Sequence, residues 1–260
     1  MLFGIILNMK KHLLTPLFII LIATASVAAA KDYSANVAYT LKVIQALGYS
    51  DQAMSIEYVE NEALDSVTSK MASQTSLLER AKAELSPYQN SDDLLQKIGA
   101  DIITNNINSQ IDLNQRQLSV YAKYKDKISE EDFTEEEWND MISELDSGEH
   151  KDWTGVITQA QFAVLELVVL PNTGEHKGKI TYKITKADKN RLLKKIDELF
   201  GTKIREITRN PDNHFYDSDE PKDNILLSAY RMRNILGSQT FEEIYKKNRL
   251  WGSSGGSLSK

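Results

Sequence analysis

The residues best suited to chemistry lie in the stretch 212–220, DNHFYDSDE, which combines carboxylates, an amide and an imidazole. Asp217 and Asp219 stand two residues apart, and carboxylate oxygens are the ligands that calcium prefers. The stretch lacks the glycine and the distal glutamate of an EF-hand loop. The sequence therefore favours a solvated loop over a calcium site, with Asp217 and Asp219 as its candidates for ion contact.

The chain contains no sequence motif for a histidine metal site or for a serine nucleophile. His150, His176 and His214 all fall in predicted turns, and no pair of histidines has helical ligand spacing, so neither zinc nor a di-iron centre is expected. No Gly-x-Ser-x-Gly elbow and no glycine-rich phosphate loop occurs. We expect no cofactor. Paired carboxylates need no local signature, so a hydrolase with two acids in a cleft stays as the alternative function.

Three polar residues stand out on predicted helices. Asn114 falls on an apolar seam, where it either contacts a ligand or fixes helix register, and the second interpretation is favoured. Arg231 and Arg233 belong to a largely apolar helix, so one of them must lie near its apolar face. A guanidinium there could bind a carboxylate or phosphate, although pairing with an acidic segment of the same chain is favoured.

The first thirty residues have the pattern of a secretory signal. Lys10 and Lys11 precede an apolar run at 13–22, and Ala28-Ala29-Ala30 is a small-residue cleavage site. Cleavage after Ala30 predicts a periplasmic or secreted protein; an uncleaved anchor is the alternative, although the apolar run is shorter than a membrane span. Because Met9 opens a complete signal by itself, translation can start at Met1 or at Met9.

Composition narrows the class of partner. The chain has no cysteine, which excludes disulfides and thiolate sites, so a large core must hold it together. Removing residues 1–30 takes away Lys10 and Lys11 and no acid, and the formal charge falls from −6 to −8. Such acidity argues against a nucleic-acid partner. No membrane span is predicted after residue 30.

The elements that must position these residues are helices. A long helix at 91–128 carries apolar residues at steps of three, four and seven, and a second helix at 52–85 has the same pattern. The break at 86–90 predicts an antiparallel hairpin, typical of a helical bundle or coiled coil on which a second copy could pack. A shorter helix at 32–47 precedes it and ends at Gly48. Residues 31–128 thus form a long helical hairpin region.

Residues 129–250 are predicted to form a smaller helical region. Its segments are an acidic helix within 129–149, a buried helix at 152–170, an extended or β segment at 178–184, a helix at 185–201 closed by Gly201, a loop at 202–221, and two short helices at 222–236 and 239–250. A β-hairpin over 161–184 is the alternative to the helix and extended segment. Residues 251–260 read as a flexible tail.

Two segments of this region carry opposite charge. Residues 130–149 contain ten acids and no base, and residues 177–209 contain eleven bases and four acids. Left unpaired, fields of −10 and +7 would favour self-association at low salt, so the two segments are predicted to face each other within one chain.

Together these observations predict an all-α protein. The function they favour is that of an exported, non-catalytic binding or interaction protein of the bacterial cell envelope, whose partner is another envelope protein or a peptide.

Overall fold

The structure, a computed structural model, describes residues 33–58, 64–125, 133–146, 152–169, 178–209 and 220–249. Helix accounts for 82% of the described residues, in eight α-helices with one short two-stranded sheet, so the predicted all-α class is confirmed. The predicted signal peptide and the predicted tail lie outside the described residues.

The helices are α1 (Ser34–Met54), α2 (Leu64–Leu85), α3 (Leu94–Lys123), α4 (Glu135–Asp146), α5 (Thr154–Leu165), α6 (Lys186–Arg209), α7 (Pro221–Gly237) and α8 (Phe241–Arg249), with a single 3₁₀ turn at Ser86–Tyr88. The strands are β1 (Val168–Val169) and β2 (Thr181–Tyr182), which pair antiparallel between α5 and α6.

Helix α1 is the centre of the fold. It packs against α2, α3, α5, α6 and α7, and more than half of its residues are buried. Because it is apolar on several sides, it has the character of a core helix rather than a surface helix. Helix α3, the longest of the described helices, packs mainly against α2 and α5 and also contacts α4 and α1.

Two predicted boundaries around α1 are wrong. Gly48 does not end the helix, which continues to Met54, so residues 49–51 form no turn. The second helix begins at Leu64 rather than at residue 52. Gly48 is buried inside α1, and a Cβ atom built there would lie 2.7 Å from Leu199 Cδ1. The glycine therefore permits close approach of another helix instead of a left-handed cap.

The predicted antiparallel hairpin is formed by α2 and α3. Thr75 lies opposite Asn114, and Gln89, just after α2, bonds to Asp101 near the other end of the pair. Helix α3 is shorter at both ends than predicted. It begins after Asp93, whose carboxylate accepts hydrogen bonds from the backbone N–H groups of residues 95 and 96 and so caps the helix.

The region 152–184 combines both predicted alternatives. Helix α5 ends at Leu165, and β1 then pairs with β2, so Val168 lies opposite Tyr182 and Val169 opposite Thr181. A strand beginning at residue 162 is therefore wrong, while the extended segment is confirmed. Tyr182 packs against the core and its hydroxyl donates towards carbonyl oxygens at the end of α7, 2.8 Å away for Leu236.

Helix α6 runs past Gly201 to Arg209, so the predicted end at 201 and the loop over 202–209 are wrong. Gly201 is buried within α6, and the nearest atoms to a Cβ built there would be side-chain atoms of Arg205 and Asp197 in the same helix, at 3.4 Å and beyond. Residues 210–219 of the predicted loop lie outside the described residues. Helices α7 and α8 follow the predicted positions within one or two residues.

The acidic and basic segments do not face each other in the described part of the chain. The acidic helix α4 packs against the end of α3, where Glu144 pairs with Lys123 and Trp138 stacks through Phe133 onto Tyr124. The basic helix α6 packs against α1 and α7. The predicted pairing is therefore wrong because each amphipathic helix covers a different side of the bundle.

One cluster of buried apolar side chains joins both predicted regions. It extends from Val37 on α1 through Leu78 on α2 and Ile107 on α3 to Phe200 on α6 and Ile235 on α7. Burial of such side chains is the main stabilising contribution in a protein without disulfides.

Candidate functional site: a groove between helices α1 and α6

Helices α1 and α6 run parallel and diverge towards their N-terminal ends. They approach closely where Gly48 meets Leu199. Three residues further along α1, the carboxylate of Asp51 accepts hydrogen bonds from Lys203 Nζ at 2.8 and 2.7 Å. A buried carboxylate needs such a partner, so this ion pair fixes the two helices at their converging end.

Ser55 is the third member of this polar cluster. Its hydroxyl oxygen lies 2.8 Å from Lys203 Nζ, a distance at which a neutral lysine could act as the base for a serine nucleophile. Here the ammonium donates to both oxygens of Asp51, and the Ser55 hydroxyl donates to the backbone carbonyl of Asp51 at 2.7 Å. The cluster therefore orders the end of α1, with the Ser55 hydroxyl proton directed to a backbone carbonyl rather than to Lys203.

The diverging ends of α1 and α6 enclose an open groove of about 580 Å³. Its floor is the side of α1 that bears Val37, Ala38 and Leu41, and one wall is α6. Leu41 is partly buried against the core, and Ala38 is exposed. The groove therefore offers an apolar strip on α1, flanked by long charged side chains.

The charged residues that line the groove are four bases and three acids: Lys42, Glu84, Asp188, Arg191, Lys194, Lys195 and Glu198. Lys42 bonds to Glu84 at 2.5 Å, and this hydrogen bond raises the pKa of Lys42 above its usual value. Lys194 lies 3.7 Å from Glu198, one helical turn away. Asp188 accepts a hydrogen bond from Thr185 at 2.6 Å and so belongs to the capping box of α6.

Arg191 and Lys195 are the two groove cations that make neither an ion pair nor a hydrogen bond with any described residue. They stand one turn apart on α6 and face the same opening. Arginine is well suited to bind carboxylate because its planar guanidinium presents two parallel donors. The groove therefore combines an apolar floor with two available cations, which suits an amphipathic anion.

The same geometry gives little support to two-carboxylate hydrolysis. That reaction needs one protonated acid and one free carboxylate on either side of the scissile bond. Glu84 and Glu198 each pair with a lysine, and Asp188 is held by its helix cap. Each of the three carboxylates among the described lining residues of the groove is therefore already engaged by a partner.

Asn114 has the structural role that the sequence favours. It is almost fully buried, at 1% exposure, between α2 and α3. Its amide donates to Thr75 Oγ1 at 3.3 Å, and its carbonyl oxygen accepts from Gln110 at 3.2 Å. With its hydrogen bonds satisfied inside the hairpin, Asn114 sets the register of the two helices and faces no ligand site.

A shallow polar pocket of about 680 Å³ lies along α3. It is lined by Asn105, Asn108, Ser109, Asp112, Gln115, Arg116 and Ser119. Three of these residues, Asn105, Asn108 and Gln115, belong to the stretch 105–117, which contains seven asparagine and glutamine residues. The described lining of the pocket comes from one helix alone, so no second element converges there to orient a ligand.

Arg233 bonds to Asp197 on α6, with 2.7 Å between Nε and Oδ1. The prediction that the arginines of α7 pair with the acidic segment is therefore wrong for Arg233, because its partner lies on the basic helix instead. Arg231 is half-buried on the same helix. Neither residue lines the α1–α6 groove.

Asp217 and Asp219 lie outside the described residues, as do His150, His176 and His214. Within the part of the chain that the structure describes, no group of three or more histidine and carboxylate residues could hold a metal ion.

Sequence reasoning missed the groove because its two walls are about 150 residues apart in the chain. The positive charge of residues 177–209 is visible in the sequence and is typical of an anion-binding surface, here one that includes Arg191 and Lys195. The floor residues Val37 and Leu41 gave no signal beyond that of an ordinary helical core face.

No family model, curated protein or solved structure matches this chain. Among the described residues, no helix is both long enough and apolar enough to span a bilayer.

Proposed function

We propose that this chain is an exported, non-catalytic interaction protein of the bacterial cell envelope, and that it binds an acidic amphipathic segment of a peptide or protein in the α1–α6 groove. The observation that carries the proposal is the presence of Arg191 and Lys195, without ion pairs among the described residues, above an apolar floor. Helices commonly bind in grooves of this kind through one apolar face, and charge complementarity then selects the partner.

Export is supported by the sequence pattern of residues 1–30. Mass spectrometry of the protein from its own host should find Lys31 as the first residue. An intact N-terminus would instead indicate a protein anchored in the membrane.

The binding site is tested with a synthetic helical peptide that carries glutamate on one face and leucine on the other. Fluorescence anisotropy of the labelled peptide should show binding at about 50 mM salt and much weaker binding at about 500 mM, because screening shortens the range of the attraction. The double variant Arg191→Glu/Lys195→Glu should bind at least about tenfold more weakly.

Two controls make this result specific. Lys97 and Lys222 are exposed on α3 and α7, outside the groove, so Lys97→Glu/Lys222→Glu makes the same change in net charge and should leave binding unchanged. A peptide with glutamine in place of glutamate should bind weakly to every variant. Equal binding of the acidic peptide to both double variants would overturn the assignment of the groove.

A further inference from the structure

The acidic helix α4 has an exposed face that no other described residue covers. Its inner side packs against the end of α3, while Glu135, Glu136, Asn139, Asp140 and Ser143 are exposed. Ile142, at the edge of this face, is 42% exposed. The helix contains six acids and no base. It is therefore an acidic helix with one large apolar side chain available for contact.

From this observation we infer that helix α4 of one copy docks in the α1–α6 groove of a second copy, so that the chain associates with itself head to tail. The inference rests on the proposed function, because it names the partner of the same groove. Ile142 would lie on the floor at Leu41, and the carboxylates of Glu136 and Asp140 would face Arg191 and Lys195.

Length and charge support this occupant. Helix α4 has twelve residues, about 18 Å at the helical rise, and the groove follows α1 from Ser34 to Gln45, which is the same number of residues. Arg191 and Lys195 in the groove have no partner among the described residues, and they complement Glu136 and Asp140, which are exposed on α4. The contact thus joins surfaces of opposite charge and equal length.

The same contact cannot form within one chain. Tyr39, in the part of α1 that forms the groove, lies against Gly99 near the start of α3. Helix α4 is attached at the other end of α3, where Lys123 pairs with Glu144. Lys123 stands 24 residues after Gly99 on the same helix, about 36 Å away at the helical rise, so α4 lies far from the groove of its own chain.

A contact between two different surfaces is heterologous, and its product depends on the angle between copies. If α4 of each copy docks in the groove of the other, the two copies form a closed dimer. If the relative orientation of the copies does not allow both contacts at once, longer assemblies form. In either case each exposed ion pair contributes only a little, so the association depends on salt.

The test measures the mass of the exported chain, residues 31–260, by sedimentation velocity. We expect species of at least about twice the monomer mass at about 50 mM salt and monomer at about 500 mM. The groove variant Arg191→Glu/Lys195→Glu and the helix variant Glu136→Lys/Asp140→Lys should each be monomeric at low salt. All four residues are exposed or half-buried on helix surfaces, and circular dichroism should show that both variants keep their helices.

Mixing the two monomeric variants is the decisive step. The intact acidic helix of the groove variant then meets the intact groove of the helix variant, so a mixed dimer should form. The control Lys97→Glu/Lys222→Glu should associate as the parent chain does. A parent chain that stays monomeric at low salt, or a mixture that does not associate, would overturn the inference.

These outcomes are separable from those of the proposed function. A monomeric parent chain that still binds the acidic peptide through Arg191 and Lys195 contradicts self-association and leaves the groove as a binding site for another partner. Failure of the peptide to bind contradicts the proposed function itself.

Discussion

At the scale of single residues, Gly99 leaves the least space for a side chain among the glycines that the structure describes, because Tyr39 occupies the space where a Cβ atom would lie. A Cβ atom built at Gly99 would lie 2.2 Å from the hydroxyl oxygen of Tyr39, a buried side chain at 2% exposure. Tyr39 also packs edge to face on Tyr88, with ring centroids 4.9 Å apart, so its ring cannot rotate away freely. Burial, and to a lesser degree Glu166, raises the pKa of Tyr39, and its hydroxyl has no hydrogen-bond partner among the described residues.

We therefore expect Gly99→Ala to destabilise the protein by about 1–3 kcal/mol through overpacking, even though alanine favours helix. Tyr39→Phe should change stability little, because the lost hydroxyl has no partner there. The double variant should recover most of the loss, since the Tyr39 ring carbon Cζ would lie 3.5 Å from the new Cβ, an ordinary contact. Urea unfolding of all four proteins measures this cycle.

Gly48→Ala is the matched control. Its Cβ would meet Leu199 Cδ1, the end of a flexible and only partly buried side chain, so the loss should be smaller than at Gly99. If Gly99→Ala is as stable as the parent, or if Tyr39→Phe does not rescue it, the close contact is not the cause.

At the scale of elements, the sequence predicted which segments are helical but not where several of them end. Steps of three, four and seven located the apolar faces of α2, α3 and α6, because helical periodicity is local. The sequence pattern places helix ends at Gly48 and Gly201, although both lie inside helices, and at Gly48 the helix closely approaches Leu199 of α6. A local pattern does not distinguish a glycine at a cap from a glycine at a helix contact.

The candidate site was less predictable for the same reason. The charge of α6 was visible in the sequence, but its partner helix was not, since α1 and α6 meet only after the intervening helices are packed. The acidic segment was an equally reasonable partner by charge, and the structure places it elsewhere.

Strand β2 is anchored to the end of α7 by the side chain of Tyr182. The hydroxyl of Tyr182 lies 3.0, 2.8 and 2.9 Å from the carbonyl oxygens of Ile235, Leu236 and Ser238 at the C-terminal end of α7. The Ile235 carbonyl also accepts from the Ser238 backbone N–H, as is common where a helix ends. Burial, and less strongly Glu243, raises the pKa of Tyr182 to about 12. Lys189 lies over the same ring, at 3.8 Å from its centroid.

The sign of the pH effect follows from the direction of this shift. The pKa of the folded state lies above the ordinary tyrosine value of 10, so the folded state holds the proton more tightly than the unfolded chain. This stabilisation is fully present below about pH 10 and is lost as the pH rises towards about 12.

We expect Tyr182→Phe to cost about 1 kcal/mol at pH 8, through the lost hydrogen bond, and the difference from the parent to shrink between about pH 10 and pH 12. Lys189 also titrates at alkaline pH, but its contact is with the aromatic ring, which phenylalanine keeps. The effect of Lys189 therefore cancels when urea unfolding of the two proteins is compared. A difference that is constant or grows over that range would contradict the role assigned to the phenol.

At the scale of the whole molecule, α1 makes the long hairpin dependent on the second half of the chain. Its buried residues include Val37, Val43 and Leu47, which belong to the same apolar cluster as residues of α5, α6 and α7. Thr40 also donates to the backbone carbonyl of Ala163 on α5, at 3.0 Å. Separating residues 31–128 from the rest would expose the sides of α1 that these helices cover.

We therefore expect the whole protein to unfold in one cooperative transition, with helix signal and tryptophan fluorescence changing together. Trp153, buried at 2% exposure in the shared core, reports on the second half of the chain. Helices α1, α2 and α3 supply the helix signal of the first half. The fragment 31–128 alone should show reduced helicity and no cooperative urea transition, because it lacks the apolar contacts that stabilise α1.

The control is the chain 31–250, which lacks only the tail and should unfold as the parent does. A fragment 31–128 that unfolds cooperatively, with the midpoint that the helix signal has in the parent, would show that the hairpin is a domain of its own. In that case α1 would belong energetically to α2 and α3, and the walls of the α1–α6 groove would be free to move relative to each other.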